Sequence, residues 1–385
     1  MNRQPIYLDY AAATPVAPEV SQHMQNLSRE IFANPSSSHV FGRKARQIID
    51  DARAHIATIL HCEVSEIYFT HSATEANNLA LRGIAYAARR QYHRNHIVVS
   101  AVEHSSILQT AKALEHEDFR VTYLPVDRYG VVQEDALVSA ISHDTNLVSI
   151  MIANNEVGTI QPIQSYVALV RTCAPYVAFH TDAVQWPGFG TLNTQSLGID
   201  AMTLSGAKIY GPPDCSMLFV RNGIACDPLL FGGRQEHGLW PGTEHAVSIA
   251  GFAYALELAE ARRSAADSFH ARRNIFLETL RSHVSDCVVN GHQDNILPHI
   301  VHLTFPGVDQ DALLVALDQV GLAVSGGAAC DAGAQRISHV IEALHLPKLF
   351  KQAHMRLSFG ISTSEKELRE AAERIVQVVS QLRST

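Results

Sequence analysis

The sequence has no C-x-x-C pair, and its six cysteines, Cys62, Cys173, Cys215, Cys226, Cys287 and Cys330, are irregularly spaced. This excludes a disulfide framework or a thiolate zinc centre and predicts reduced thiols. No stretch approaches the roughly 20 apolar residues that span a bilayer. The N-terminal run Met1-Asn-Arg-Gln-Pro-Ile-Tyr7 lacks the apolar core of a signal peptide. A cytoplasmic protein with no membrane partner is the expectation. Positive charge is also scarce: 30 Lys and Arg stand against 38 Asp and Glu, for a net charge of -8. That argues against direct binding to nucleic acid, which needs clustered cations. The 21 histidines are scattered. His93 and His96 are helical neighbours, but no Cys, Asp or Glu cluster joins them, so no metal is expected. There is no internal repeat and no low-complexity tract.

What is present is ordinary globular composition, 46% hydrophobic over 385 residues, enough for a substantial core in two or three domains. Apolar β-rich runs predict strands at Glu66–Thr70, His96–Ala101, Arg120–Pro125, Leu147–Ala153, Tyr176–Thr181, Ala201–Ser205 and Ser216–Val220. Helical periodicity fills gaps between them, as at Thr74–Arg90 and Gln161–Thr172. This alternation predicts an α/β fold: a mostly parallel seven-stranded sheet covered by helices on both faces. Ligands of such sheets sit at the carboxyl ends of the strands, where His104, Asn155, Asp182 and Ser205 fall.

A long helical stretch, Glu244–Ala266, ends this pattern. Beyond it come a helix near Phe269–Val284, a strand at Ile300–Phe305, a helix at Gln310–Val320, strands at Leu322–Ser325 and Met355–Phe359, and a last helix from Ser364. Few strands among helices predict a smaller α+β domain. The expected division is a large domain over 14–258 and a small domain built from 1–13 and 259–385. The Gly/Ala-rich segment Ala328–Ser338 has little to pack and is expected to be a mobile loop within the small domain (about 326–338).

Several short motifs carry chemistry. Lys208 lies in Thr203-Leu-Ser-Gly-Ala-Lys-Ile-Tyr-Gly-Pro-Pro213, after a strand and before a rigid turn. Asp182 ends an earlier strand. A lysine that forms a Schiff base and an aspartate that keeps a pyridinium nitrogen protonated are what pyridoxal 5'-phosphate (PLP) requires. Thr70-His-Ser-Ala-Thr-Glu-Ala76 follows a strand and opens a helix, which suits either an anion site or a plain N-cap. His104 suits a ring stacked on a flat cofactor or a hydrogen-bonded strand-end histidine. Asn154-Asn155-Glu156-Val-Gly158 reads equally as a ligand site or a tight turn. Gln185 lies within reach of a ligand held by Asp182. Arg356 suits a carboxylate clamp or a structural ion pair. Cys330 sits among Gly326, Gly327, Ala328, Ala329, Ala332 and Gly333, which offer nothing bulky to bury it, so a reactive thiol is expected.

Together these segments resemble the cysteine desulfurases of the NifS/IscS-like group, which are fold-type-I PLP enzymes of the class-V aminotransferase family. The likeness runs from Tyr7-Leu-Asp-Tyr-Ala-Ala-Ala-Thr-Pro15 and Asn34-Pro-Ser-Ser-Ser-His39 through Ala73-Thr74-Glu75, Glu103-His104, Asn154-Asn-Glu156, Asp182-Ala-Val-Gln185, Lys208-Ile-Tyr-Gly-Pro212, Gly242-Thr243 and Cys330 to Arg356-Leu-Ser-Phe-Gly360. The resemblance implies conversion of L-cysteine to L-alanine. Lys208 would carry the cofactor and act as a base. His104 would stack on the ring and transfer protons. Asp182 would pair with the pyridinium and Gln185 with the phenolic oxygen. Ala73, Thr74 and Ser205 would bind the phosphate, and Thr243 would reach in from the second subunit of a homodimer. Asn155 and Arg356 would hold the substrate carboxylate. Cys330 would take the sulfur as a persulfide and pass it to an acceptor protein, in the manner of the long-loop branch. The acceptor's pathway stays open among iron–sulfur assembly, tRNA thiolation and DNA phosphorothioation. Another PLP enzyme of the same fold, such as a selenocysteine lyase, and a catalytically weakened scaffold protein are the alternatives.

Three positions depart from the family pattern. Ala207 replaces a phosphate-anchoring histidine, Ser72 a glycine and Trp240 an arginine. Losing an imidazole donor costs roughly 1.5–3 kcal/mol, so weaker PLP retention is expected, with His71 as a candidate to compensate.

Overall fold

The computed structural model describes residues 4–327, 337–347 and 353–384. In chain order its strands are β1 (Ile6–Tyr7), β2 (Ile67–Thr70), β3 (His96–Ser100), β4 (Arg120–Leu124), β5 (Thr145–Ser149), β6 (Ala178–Asp182), β7 (Ala201–Ser205), β8 (Ser216–Val220), β9 (Val288–Asn290), β10 (Ile300–Phe305), β11 (Leu322–Ala323) and β12 (Ala353–Ser358). Strands β2 to β8 form one sheet in the order β2-β8-β7-β6-β5-β3-β4. Only β8 runs antiparallel, pairing with both β2 and β7. All seven are strands expected from the sequence, and the sheet is α/β and mostly parallel as predicted.

Alternation along the strands explains the layering. Val98, Val148, Phe179, Met202 and Phe219 enter one buried cluster, while Ile97, Val99, Leu147, Ala178 and Leu218 enter another. Side chains of period two therefore supply both faces of the sheet, which must each be covered by helices. A third cluster gathers Ile6 and Leu8 with β10, β12 and the helices Ala266–Arg281, Gln310–Gln319 and Glu365–Arg383. The first cluster also takes in Leu297, Ile300, Val340, Ile341 and Leu344.

Element boundaries shift by a few residues from those expected, chiefly at strand ends. Strand β5 closes at Ser149 rather than Ala153, yet Ile150 and Ile152 still donate to the carbonyls of His180 and Asp182. The helix Ala73–Asn78 passes through a wider π-turn at Leu79–Gly83 into Ile84–Tyr92. Six described helices were not predicted: Pro18–Ser28, Val40–Leu60, Ser105–Glu115, Glu134–Ala140, Thr194–Leu197 and His339–Ala343. In the longest, Ala45, Ile49, Ala52, Ile56 and Leu60 recur every three or four residues and are all buried, a helical signal. The carboxyl ends of the parallel strands β3, β5, β6 and β7 share one rim, and that rim positions the site.

Candidate active site

A cavity of about 250 Å³ opens at this rim. Its walls include Ala73, Thr74, His104, Asn155, Asp182, Gln185, Ser205, Lys208 and Arg356, which sequence reasoning had singled out from six separate segments. Asp182 and Ser205 are the last residues of β6 and β7. His104 caps the helix Ser105–Glu115. Ala73 and Thr74 open a helix whose cap is Ser72, with Ser72 Oγ accepting from Glu75 N at 3.2 Å and Glu75 reaching back to His71 N at 2.9 Å. This reciprocal cap takes the N–H of Glu75 and leaves those of Ala73 and Thr74 to an anion, since a helix's leading donors have no carbonyl within the helix to bind.

The buried carboxylate of Asp182 is fully furnished. Oδ1 accepts from Val184 N at 3.0 Å, and Oδ2 accepts from Asn77 Nδ2 at 2.7 Å. Asp182 thus caps a turn and faces the cavity at once. The same Asn77 amide donates to Ser106 Oγ at 2.9 Å, and Ser106 meets His104 Nδ1. Asn77 and Ser106 were missed by sequence reasoning. Their only signal was a position on helices that open at the rim. Burial is the main influence that lowers the His104 pKa. Lys208 and His339 push it the same way, against Asp182 and Glu156.

Gln185 donates from Nε2 to Ala11 O at 2.9 Å, which uses one of its two amide hydrogens. Lys208 Nζ donates to Ala12 O. Arg356 is buried: its terminal nitrogens donate to Asn155 O at 2.9 Å and to Asp9 at 2.7 Å. It is therefore both a structural ion pair and a wall of the cavity. Asn154 has a structural part, donating to Val102 O and accepting from Glu156 N and Val157 N. Glu103 lies fully buried behind His104, its Oε1 accepting from Ser100 Oγ and Met151 N, and burial lifts its carboxyl to about 8.

Two further candidate residues are not among these walls as described. Thr243 lines a neighbouring small cavity with Gly242, His71 and His245, not the cavity of Lys208. Cys330 lies outside the described residues. Of the departures, Ala207 lines the main cavity and supplies no donor side chain. Trp240 is buried beside Leu239. His71 packs edge-on against His245, with ring centroids 5.3 Å apart, and lines the neighbouring cavity.

A Lys amine, a buried carboxylate held at both oxygens, uncapped helix N–H groups and a cavity of this size form a donor set that fits PLP. Comparison with known proteins agrees. The family model for class-V aminotransferases matches residues 6–370. The cysteine desulfurase IscS of Dictyoglomus turgidum is 38% identical over 385 residues, covering 100% of this chain and 96% of that protein. The cysteine desulfurase IscS of Methanosarcina thermophila is 38% identical over 380 residues, covering 98% and 93%. A solved NifS-like protein superposes with a TM-score of 0.91 at 31% identity, covering 98% of this chain and 100% of that one. The chain belongs to the PLP-dependent class-V aminotransferase family and, within it, to the cysteine desulfurases.

Proposed function

We propose that this chain converts L-cysteine to L-alanine at the cavity around Lys208 and passes the sulfur through Cys330 to an acceptor protein. The observation that carries the reading is the convergence of Lys208, Asp182, His104 and Arg356 on one cavity from four distant segments. PLP, when bound, supplies an electron sink that labilises bonds at the amino acid's α- and β-carbons. Lys208 holds it covalently, Asp182 keeps its ring nitrogen protonated, and Gln185 donates its second amide hydrogen to the phenolic oxygen. The leading N–H groups at Ala73 and Thr74, with the Ser205 hydroxyl, take the phosphate. Ser216 Oγ donates to Ser205 Oγ at 3.0 Å, which leaves the Ser205 hydrogen to be given away. Asn155 and Arg356 orient the substrate carboxylate.

The working unit in this reading is a homodimer, with Thr243 completing the partner's phosphate site. Exposed Phe32, Phe41 and Phe231, at 76%, 54% and 87% of their surface, support it, since large apolar groups at the surface mark interaction sites. The functional division is a large cofactor domain (14–258) and a small domain (1–13 and 259–385) that carries Cys330. A cytoplasmic setting fits the chemistry of a reduced thiol nucleophile. No described helix is long and apolar enough to cross a membrane.

The test is alanine release from L-cysteine with added PLP and a reductant, comparing wild type with Cys330→Ala. Turnover that disappears in the variant establishes the desulfurase. Full turnover in the variant replaces it with a β-lyase or selenocysteine lyase reading, and no alanine from either protein favours a scaffold.

A further inference from the structure

We infer that Ser106, itself held by Asn77, locks His104 as the neutral tautomer with its proton on Nε2, so that His104 acts as a hydrogen-bond donor to the bound ligand and not as a base. This rests on the proposed function for its ligand, but the lock consists of this chain's own atoms. The backbone N–H of Ser106 points at His104 Nδ1 from 3.1 Å. A backbone N–H can only donate, so Nδ1 must present a lone pair. The Ser106 hydroxyl lies 2.9 Å from the same nitrogen. With Nδ1 already fixed as an acceptor by the backbone donor, the hydroxyl can only donate to it, while its oxygen accepts from Asn77 Nδ2 at 2.9 Å. Two donors on Nδ1 leave Nε2 as the protonated nitrogen of a neutral ring. The opposite tautomer, or the imidazolium, would set an N–H against an N–H.

The ring lines the cavity and Nδ1 is held by Ser106, so the ring a ligand meets there carries its proton on Nε2. A neutral histidine of this kind polarises or steadies an acceptor without taking a proton. Lys208 would then be the residue that accepts the α-proton of L-cysteine. Asn77 also binds Asp182, so one amide orients the partner of the cofactor nitrogen and, through Ser106, the ring above it.

Two measurements test the lock. Two-bond proton–nitrogen spectra of ¹⁵N-histidine-labelled, PLP-loaded enzyme at neutral pH, assigned by the loss of signals in His104→Gln, should show a bare Nδ1 and a protonated Nε2. Ser106→Ala keeps the backbone donor and loses the hydroxyl, so the tautomer ratio should fall by about fivefold. A protonated Nδ1 in the wild type overturns the inference. Kinetically, His104→Gln retains a neutral side-chain donor and should release alanine within about tenfold of wild type, whereas His104→Ala should fall by about 100-fold. Equal loss in both variants, in the range of about 100- to 10,000-fold expected of a missing base, overturns the donor role. A protein that takes up no PLP sinks the proposed function instead, and the nitrogen spectrum still reads the lock.

Discussion

Arg356 donates to Asp9 at 2.7 Å although the two residues lie 347 positions apart, and only 2% of the Arg356 side chain is exposed. Its other terminal nitrogen holds Asn155 O. The guanidinium is therefore fixed in place before any substrate arrives, and Asp9 offsets part of its buried charge. Arg356→Gln should raise the KM for L-cysteine by roughly 10- to 150-fold, the value of a lost charge-assisted hydrogen bond of about 1.5–3 kcal/mol. PLP absorbance should persist. Arg356→Lys should not rescue, because a single ammonium cannot reproduce two separated, planar donors. Steady-state kinetics beside a cofactor spectrum decide it, and loss of PLP with loss of binding would give Arg356 a structural role instead.

Ala207 faces the main cavity with a methyl group where the family pattern has an imidazole, and His71 is turned to the neighbouring cavity beside His245. His71 is not among the residues that line the main cavity. Ala207→His should tighten PLP retention by roughly 10- to 150-fold. Dialysis followed by cofactor fluorescence measures it. A wild-type enzyme that already holds PLP through exhaustive dialysis contradicts the expectation.

Glu103 gives a pH-dependent stability term. Burial raises its carboxyl from 4.5 to about 8 in the folded chain. The folded state therefore holds a proton that the unfolded state has released, so the term is fully present below 4.5 and lost as pH rises through about 8. Glu103→Gln retains an oxygen for Ser100 Oγ and Met151 N but cannot ionise. Its melting temperature relative to wild type should rise steadily across that window and level off above it. Parallel melting curves at every pH would show that Glu103 does not titrate there.

Much of this was legible before the fold was seen, and for local reasons. Period-two apolar runs gave the sheet, and residues at strand ends gave the rim, because both depend on neighbours in sequence. Asp182 and Lys208 needed only the strand that precedes each. What escaped depends on tertiary contact. Asn77 becomes a ligand of Asp182 only when the helix Ala73–Asn78 packs across β7 and β8, and Asp9 meets Arg356 only when the two ends of the chain are brought together. Thr243 was assigned to the partner's site by resemblance alone, and in its own chain it lines the neighbouring cavity. The helix Val40–Leu60 was legible in its stripe of Ala45, Ile49, Ala52, Ile56 and Leu60 but went unread.

Glu156 ties the substrate end of the cavity to the chain beyond Cys330. Its Oε2 accepts from Ser338 Oγ at 2.6 Å, and a side chain grown on Gly327 would meet the same oxygen at 3.5 Å. Gly327 and Ser338 flank the segment that contains Cys330, and Asn155, next to Glu156, lines the cavity. His339 adds a 2.9 Å contact to Glu103 O. Removing the carboxylate should therefore affect sulfur transfer more than cofactor or substrate binding. Glu156→Ala should lower alanine release by roughly tenfold or more, with KM and PLP absorbance little changed, in keeping with a buried charge-assisted hydrogen bond. Glu156→Gln retains an acceptor for Ser338 and should retain most of the rate. Ser338→Ala should reproduce part of the loss, and the double variant with Glu156→Ala should lose less than the two single losses combined, because the same bond is removed twice. Rates that multiply independently would mean that Glu156 and Ser338 act through different contacts.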